Sequence, residues 1–118
     1  MDRIVARLFL VRDIAHREHL KTRSYSQHMA LGDFYDDIVE KADAIAEAYQ
    51  GRYGIIEDIP YLLPNITGDI VEVLKGNLAI IDQLRYEDVP REDTAIQNLI
   101  DEAVAVFLKA LYKLQFLA

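Results

Sequence analysis

Residues 25–50 read YSQHMALGDFYDDIVEKADAIAEAYQ, and this stretch decides the fold. Its apolar side chains recur at steps of three and four residues, which is the period of an α-helix with one buried face. Ser24 precedes the stretch where an N-cap is expected, and Gly51 follows it where a helix stop is expected. These features predict a helix over about residues 25–50 with a single buried stripe: Leu31, Phe34, Ile38, Ala42, Ile45 and Tyr49.

Three further segments carry the same period, and no segment is convincing as a strand. The first helix is predicted from Asp2 to Lys21, and the fourth from near Asp93 to Phe116. The third is predicted to begin near Thr67 or Asp69, either of which could cap it, and to end before Val89-Pro90. The residues expected in the core are Phe34, Ile38, Ala42, Ile45, Leu74, Leu78, Ile81, Phe107 and Leu111, where a change such as Leu78→Ala should cost ~2–5 kcal/mol.

Residues 51–66 form the least regular stretch, with two glycines and two prolines among apolar side chains. We expect them to pack on the helices as an ordered crossover, and the apolar C-terminal residues 116–118 to dock as well. Gly76 lies inside the third helix, where it costs ~1 kcal/mol relative to Ala, so we expect it to mark a close helix contact. A helix pair, a longer crossover and a second pair predict an all-α four-helix bundle, with residues 1–118 forming one domain.

The composition of the chain excludes several classes of protein and of functional site. The chain has 118 residues, a formal charge of −7 and 52% hydrophobic residues, which suffices for one buried core. It has no cysteine, which excludes disulfides, thiolate zinc sites, iron–sulfur clusters and a cysteine nucleophile. The longest apolar runs are far below the ~18 residues of a membrane span, and the N-terminal stretch lacks the layout of a secretory signal. We therefore expect a soluble, cytoplasmic protein with no membrane partner.

Six of the 13 basic residues lie on or just after the first helix: Arg3, Arg7, Arg12, Arg17, Lys21 and Arg23. We interpret them as a solvated face that pairs with nearby acids, because an acidic chain does not favour counterion release from a phosphate backbone. Nucleic acid is therefore not an expected partner. The sequence also contains no Gly-x-Ser-x-Gly turn and no phosphate-binding glycine loop, so it gives no support to a serine or lysine nucleophile enzyme.

All three histidines lie within thirteen residues, at His16, His19 and His28. Asp43 and Glu47 follow on the second helix, four residues apart and therefore on one face. Imidazole and carboxylate ligands on facing helices hold iron or manganese in bundle proteins. The Glu-x-x-His signature of di-iron carboxylate proteins is absent from this helix, because no His lies three residues after either of its glutamates.

The spacing of His16, His28, Asp43 and Glu47, at +12, +15 and +4, resembles the ferroxidase signature of Dps proteins. These are the DNA-protection-during-starvation branch of the ferritin-like superfamily. The flanking Ala15, Tyr35 and Gly51, and Asp93-Thr94-Ala95 at the start of the last helix, are similar to the family as well. Arg17 stands where the family usually has Trp, Gly32 where it has a further carboxylate, and Ala48 where it has Arg. The chain thus resembles a short, divergent member.

The resemblance implies a ferritin-like four-helix bundle that handles iron. Fe(II), as one or two ions per site, would bind His16, His28, Asp43 and Glu47 and be oxidised by peroxide or oxygen; other divalent metals remain open. His19 matches no family ligand and is either a neighbour that supports a ligand or a surface residue. The alternative is a non-catalytic interaction protein on the same scaffold with a vestigial or empty site, so the assignment as a ferroxidase enzyme is left open.

Helix geometry separates the two halves of this ligand set. His16 and His28 are each six residues from Thr22, so a hairpin turning there would place them level. Asp43 lies fifteen residues beyond His28, about 22 Å along the helix axis, whereas ligand bonds are about 2 Å long. If two copies of the second helix cross antiparallel near residues 36 and 37, the acids of one chain meet the histidines of the other. We therefore expect at least a homodimer with two equivalent sites, and leave open a larger shell.

Overall fold

The computed structural model describes residues 1–66 and 68–118, and over those residues it contains four helices and no strand. They are α1 (Asp2–Lys21), α2 (Tyr25–Tyr53), α3 (Ile70–Asp88) and α4 (Thr94–Phe116). Side chains cap the last three at their N-termini: Ser24, Asp69 and Asp93 each accept a backbone N–H three residues on. The predicted helix starts are confirmed, and the alternative cap at Thr67 lies outside the described residues.

Polar contacts at the helix ends define the topology. Arg3 near the start of α1 bonds Asp88 at the end of α3, so these two helices are antiparallel. Arg52 near the end of α2 pairs with Asp93 before α4 at 3.0 Å, so α2 and α4 are antiparallel too. The helices therefore run up, down, down and up, so α3 begins at the opposite end of the bundle from the end of α2. Within the described residues α1 contacts α2 and α3, α4 contacts the same two helices, and α1 and α4 are diagonal.

The core forms where the four apolar stripes meet. Eight of the nine residues predicted for it are buried, and the exception is Leu78, which is only partly buried and packs against the core from its edge. Since one side of the Leu78 side chain stays in water, Leu78→Ala should cost less than the ~2–5 kcal/mol of a fully buried site. No helix in the described part of the chain is both long enough and apolar enough to cross a membrane.

Three irregular features differ from the sequence prediction. Helix α2 does not stop at Gly51 but continues to Tyr53, and Gly54 ends it with a φ of 104°, a conformation that favours glycine. In the described part of the crossover, Ile56 and Ile59 pack against the core and Leu62 is partly buried, whereas Ile55, Tyr61, Leu63 and Ile66 are exposed. The apolar C-terminus does not dock, because residues 116–118 are exposed.

A buried polar network joins α3 to α4. Arg85 is only 6% exposed, and its guanidinium donates to the Gln97 side chain, the Gln97 carbonyl and Asp101 at 2.7–2.8 Å. Gln97 in turn donates to the backbone carbonyl of Arg85 at 3.0 Å and of Val89 at 3.3 Å. Because every group has a partner, the network fixes the second hairpin without leaving a buried charge unsatisfied.

The same end of the bundle is also joined through Asp93. Its carboxylate caps α4, pairs with Arg52 and accepts a hydrogen bond from the Tyr53 hydroxyl at 2.7 Å. Since only the protonated phenol can donate this bond, the contact raises the pKa of Tyr53 above its usual value of about 10. The contact therefore contributes fully below that pH and is lost as the pH rises through the folded-state pKa.

We expect Tyr53 to ionise at a higher pH than an ordinary tyrosine. Alkaline titration of tyrosinate absorbance in the wild type and in Tyr53→Phe should give a difference curve with a midpoint above about 10. Tyr25→Phe serves as the control, because the exposed Tyr25 has no contact with Asp93. A Tyr53 difference curve centred at or below pH 10 would show that the hydrogen bond to Asp93 does not form.

Candidate metal site

The three histidines lie on the seam between α1 and α2, all partly buried. The rings of His19 and His28 stack with centroids 3.7 Å apart and planes 16° apart. Nδ1 of His19 lies 2.6 Å from the carbonyl oxygen of His28, and Nδ1 of His28 lies 2.7 Å from that of His19. Because a carbonyl oxygen only accepts, both Nδ1 atoms donate, and Nε2 is the acceptor of each imidazole in its neutral form.

This reciprocal pair also closes the first hairpin. The carbonyl of His19 is in the last turn of α1, where backbone oxygens have no partner within the helix. The His28 ring supplies that partner from the first turns of α2. The pair is therefore explained in part by helix capping, whatever else its Nε2 atoms bind.

His16 lies beside this pair and stacks on a tyrosine. Its ring centroid is 4.2 Å from that of Tyr35 and 6.3 Å from that of His19. The guanidinium of Arg12 lies 5.8 Å from the Tyr35 ring. Thus His28 is level with His19, and His16 with Tyr35, which corrects the prediction that His16 and His28 are level. The loop spans residues 22–24, so its centre lies beyond Thr22. The residue level with His28 therefore shifts by about one helical turn on α1, and the residue level with His16 by about two turns on α2.

Gly32 makes room for the His19 ring. A Cβ atom at Gly32 would lie 3.1 Å from Cε1 and 3.3 Å from Nδ1 of His19, which is held by its bond to His28. Gly32 occupies the position where the family resemblance implies a further carboxylate, so the absence of that carboxylate has a steric reason here. The close contact predicted at Gly76 is wrong, because no atom of a neighbouring element among the described residues lies within 4 Å of a Cβ built there.

We expect Gly76→Ala to stabilise the chain by about 1 kcal/mol, the helix propensity difference, and Gly32→Ala to give no such gain. The physical reason is that a methyl group added at Gly32 would push against a ring that cannot move without losing its hydrogen bond. In a His19→Ala background the ring is gone, so Gly32→Ala should then stabilise by the same ~1 kcal/mol. Urea unfolding of the four variants measures this, and equal gains at Gly32 and Gly76 in the wild-type background would refute the close packing.

Asp43 and Glu47 lie far from the histidines. Both are exposed on α2, and neither has an ion pair or side-chain hydrogen bond within the described residues. Because α2 is one continuous helix, the fifteen residues from His28 to Asp43 span about 22 Å. Within residues 1–66 and 68–118, no three His, Asp or Glu side chains come close enough to hold a metal ion. One chain thus carries the candidate ligands as two separate groups.

The exposed charged side chains differ between the two ends of the first hairpin. Near the turn, Arg17, Lys21 and Arg23 are exposed close to the histidines. Toward the other end of α2, the acids Glu40, Asp43 and Glu47 are exposed, and so are Arg52 on the same helix and Arg3 at the start of α1. Exposed basic side chains therefore lie near the histidines, whereas acids and bases are mixed at the carboxylate end.

One comparison with known proteins gives a match. The model of a family described as a family of unknown function (DUF5856) covers residues 19–114. The chain belongs to this family. The matched DUF5856 segment includes His19, His28, Asp43 and Glu47, and begins after His16. No curated protein and no solved structure matches the chain.

Sequence reasoning missed two features of this region. The stacking of His16 on Tyr35 and the reciprocal bonds of His19 and His28 both depend on how the two helices align across the turn. A glycine inside α2, one turn after His28, was the available signal, since Gly32 costs helix stability unless a neighbour needs the space.

Proposed function

We propose that this DUF5856 protein binds Fe(II) at sites completed by a two-fold partner and oxidises it there, as a ferroxidase that sequesters iron. The observation that carries the proposal is the orientation of His28. Imidazoles that bind metals commonly donate their other ring N–H to a backbone carbonyl, which fixes the ring and its tautomer. His28 makes this bond to the carbonyl of His19 and keeps Nε2 as an acceptor. His16 is held by stacking on Tyr35, with its ring centroid 6.3 Å from that of His19.

The partner chain supplies the carboxylates. In an antiparallel two-fold pair of α2 helices, Asp43 and Glu47 of one copy approach the histidines of the other. Lys21 and Arg23 at the turn then approach Asp43 and Glu47 of the partner, which favours this orientation over a parallel one. The crossing near residues 36 and 37 brings acidic residues of the two copies together. Arg12 lies over the Tyr35 ring beside that point and provides a cation there.

Iron is the substrate of the proposed reaction. Imidazole nitrogen suits Fe(II), and carboxylate oxygens favour the harder Fe(III) that forms. Two Fe(II) ions each lose one electron to one hydrogen peroxide, which takes up two protons and leaves as two waters. With oxygen in place of peroxide, four Fe(II) ions and four protons are consumed for each pair of waters. The run of exposed acids on α2 offers a path for Fe(III) to leave the ligands.

The connectivity supports the ferritin-like assignment within this proposal. An up-down-down-up bundle with one long crossover between the second and third helices is the arrangement of ferritin-like folds. Fold alone does not establish the chemistry, so the proposal depends on the behaviour of the ligands.

The test adds Fe(II) to the purified protein without oxygen, measures bound metal, and then adds peroxide while ferric absorbance is followed. We expect the wild type to bind iron and oxidise it faster than buffer does, and Glu47→Ala to lose both properties. Glu47 is exposed and makes no ion pair or side-chain hydrogen bond within the described residues, so its loss should leave the fold intact. Asp82→Ala, which removes an exposed acid from α3, is the matched control and should behave as the wild type. Absence of iron binding in the wild type, or an unchanged rate in Glu47→Ala, would refute the proposal.

A second function remains open because of a different observation. The crossover exposes Tyr61 completely and Leu63 to 91%, and monomeric proteins rarely leave such groups together in water. This feature favours a helical interaction protein whose metal ligands are vestigial. If the folded wild type neither binds nor oxidises iron in the experiment above, the interaction function is the one that explains the chain.

A further inference from the structure

An apolar ridge runs along the outer face of α4. Leu108, Tyr112 and Phe116 are four residues apart, so they share one side of the helix over about 12 Å. More than half of each side chain is exposed, and the rings of Tyr112 and Phe116 lie 6.3 Å apart. These three residues are called the α4 ridge below. Within the described part of the chain, nothing covers them.

An apolar groove lies on the opposite side of the molecule, between α1 and the crossover. Its volume is about 490 Å³, and its walls include Phe9, Leu10 and Asp13 from α1 and Ile59, Tyr61 and Leu62 from the crossover. Most of the side chains that line it are apolar. This space is called the α1 groove below.

The two surfaces cannot meet within one molecule. Helices α1 and α4 are the diagonal pair of the bundle, so their outer faces point in opposite directions. We propose that the α4 ridge of one copy inserts into the α1 groove of a second copy. Each copy then offers its ridge to one neighbour and its groove to another, which makes the contact heterologous and builds a closed ring or an open chain.

Charge favours a second copy as the occupant. Lys109 is exposed beside the ridge and has no ion pair within the described residues. Glu57 and Asp58 are exposed immediately before Ile59 in the groove wall, and they too have no ion pair there. Ridge-in-groove docking brings opposite charges together at the rim, where they set the orientation of the two copies.

The same charges argue against a two-fold contact of ridge with ridge. An antiparallel pair of α4 helices centred between Leu108 and Tyr112 would bring the two Lys109 side chains to within about one helical turn of each other. Like charges at that separation oppose association. The proposal does not depend on iron, because no candidate metal ligand lies in the ridge or the groove.

Engineered cysteines give a direct test, since the chain contains none of its own. Tyr112→Cys marks the ridge and Tyr61→Cys marks the groove, and both positions are exposed enough to leave the fold unchanged. Under mild oxidation, a mixture of the two variants should form a disulfide-linked heterodimer, at least tenfold more than Tyr112→Cys mixed with Gln83→Cys, an exposed control on α3. Each variant alone should remain largely uncrosslinked.

Self-crosslinking of Tyr112→Cys alone would show ridge-to-ridge contact and overturn the proposal. Mixed crosslinking no greater than the Gln83→Cys control would overturn it as well. Sedimentation at increasing concentration provides the second measurement. Lys109→Glu should weaken association by roughly tenfold, and adding Asp58→Lys to the same chain should restore it. Wild-type protein that stays at the mass of one chain, or of the two-fold dimer alone, at all concentrations would contradict the inferred contact.

Discussion

Replacing Phe107 with alanine is expected to lower the free energy of unfolding by about 3–5 kcal/mol, the largest single effect in the core. The Phe107 side chain is completely buried and meets Phe34 edge to face, with ring centroids 5.1 Å apart and planes 76° apart. This contact joins α2 to α4 across the centre of the bundle. Its loss leaves a cavity that the rigid helices on either side cannot fill, and it also removes the favourable ring geometry.

Urea unfolding followed by circular dichroism measures this change. Leu20→Ala is the matched control, because Leu20 is 72% exposed and its truncation should stay within about 0.5 kcal/mol. Leu78→Ala should fall between the two, as the half-buried position of Leu78 requires. A loss below about 1 kcal/mol for Phe107→Ala would show that the α2–α4 contact is not part of the stable core.

The second large effect concerns the buried guanidinium. Arg85→Met keeps most of the chain length but removes every donor to Gln97, so we expect a loss of about 3 kcal/mol. The cost arises because Gln97, itself buried, keeps its side-chain oxygen in the core without a partner. The same denaturant measurement applies.

Asp101→Asn is the control for the Arg85 network. The Asp101 side chain is 60% exposed, so water replaces the lost ion pair and the change should cost less than about 1 kcal/mol. If the two substitutions cost the same, the stability of the second hairpin depends on the exposed ion pair and not on the buried bonds to Gln97.

Much of the fold could be predicted because its determinants are local. The apolar period of α2 and the caps Ser24 and Asp93 act within one or two helical turns, so the sequence displays them directly. The exposure of Leu78 and of the crossover depends instead on which neighbours cover them. Such neighbours are distant in the sequence, and composition alone does not reveal them.

In the candidate site, too, the local features could be predicted and the contacts between helices could not. That the histidines fall on one hairpin follows from their spacing around a short turn. That His28 pairs with His19 and not His16 depends on a shift of one helical turn, which the six-residue spacing around Thr22 does not determine. The distance from His28 to Asp43 is a property of one helix and was predictable, and it is the reason that the proposed site needs a second chain.

The central claim is that two chains share each metal site, and mixing two variants tests it most directly. His28→Ala and Glu47→Ala homodimers should each lose both sites, since every site takes one of these residues from each chain. In a mixed dimer both losses fall in one site, so the other site is intact, and verified heterodimers should bind about half the Fe(II) of the wild type. Verified heterodimers that bind no more metal than either parent would contradict the shared site.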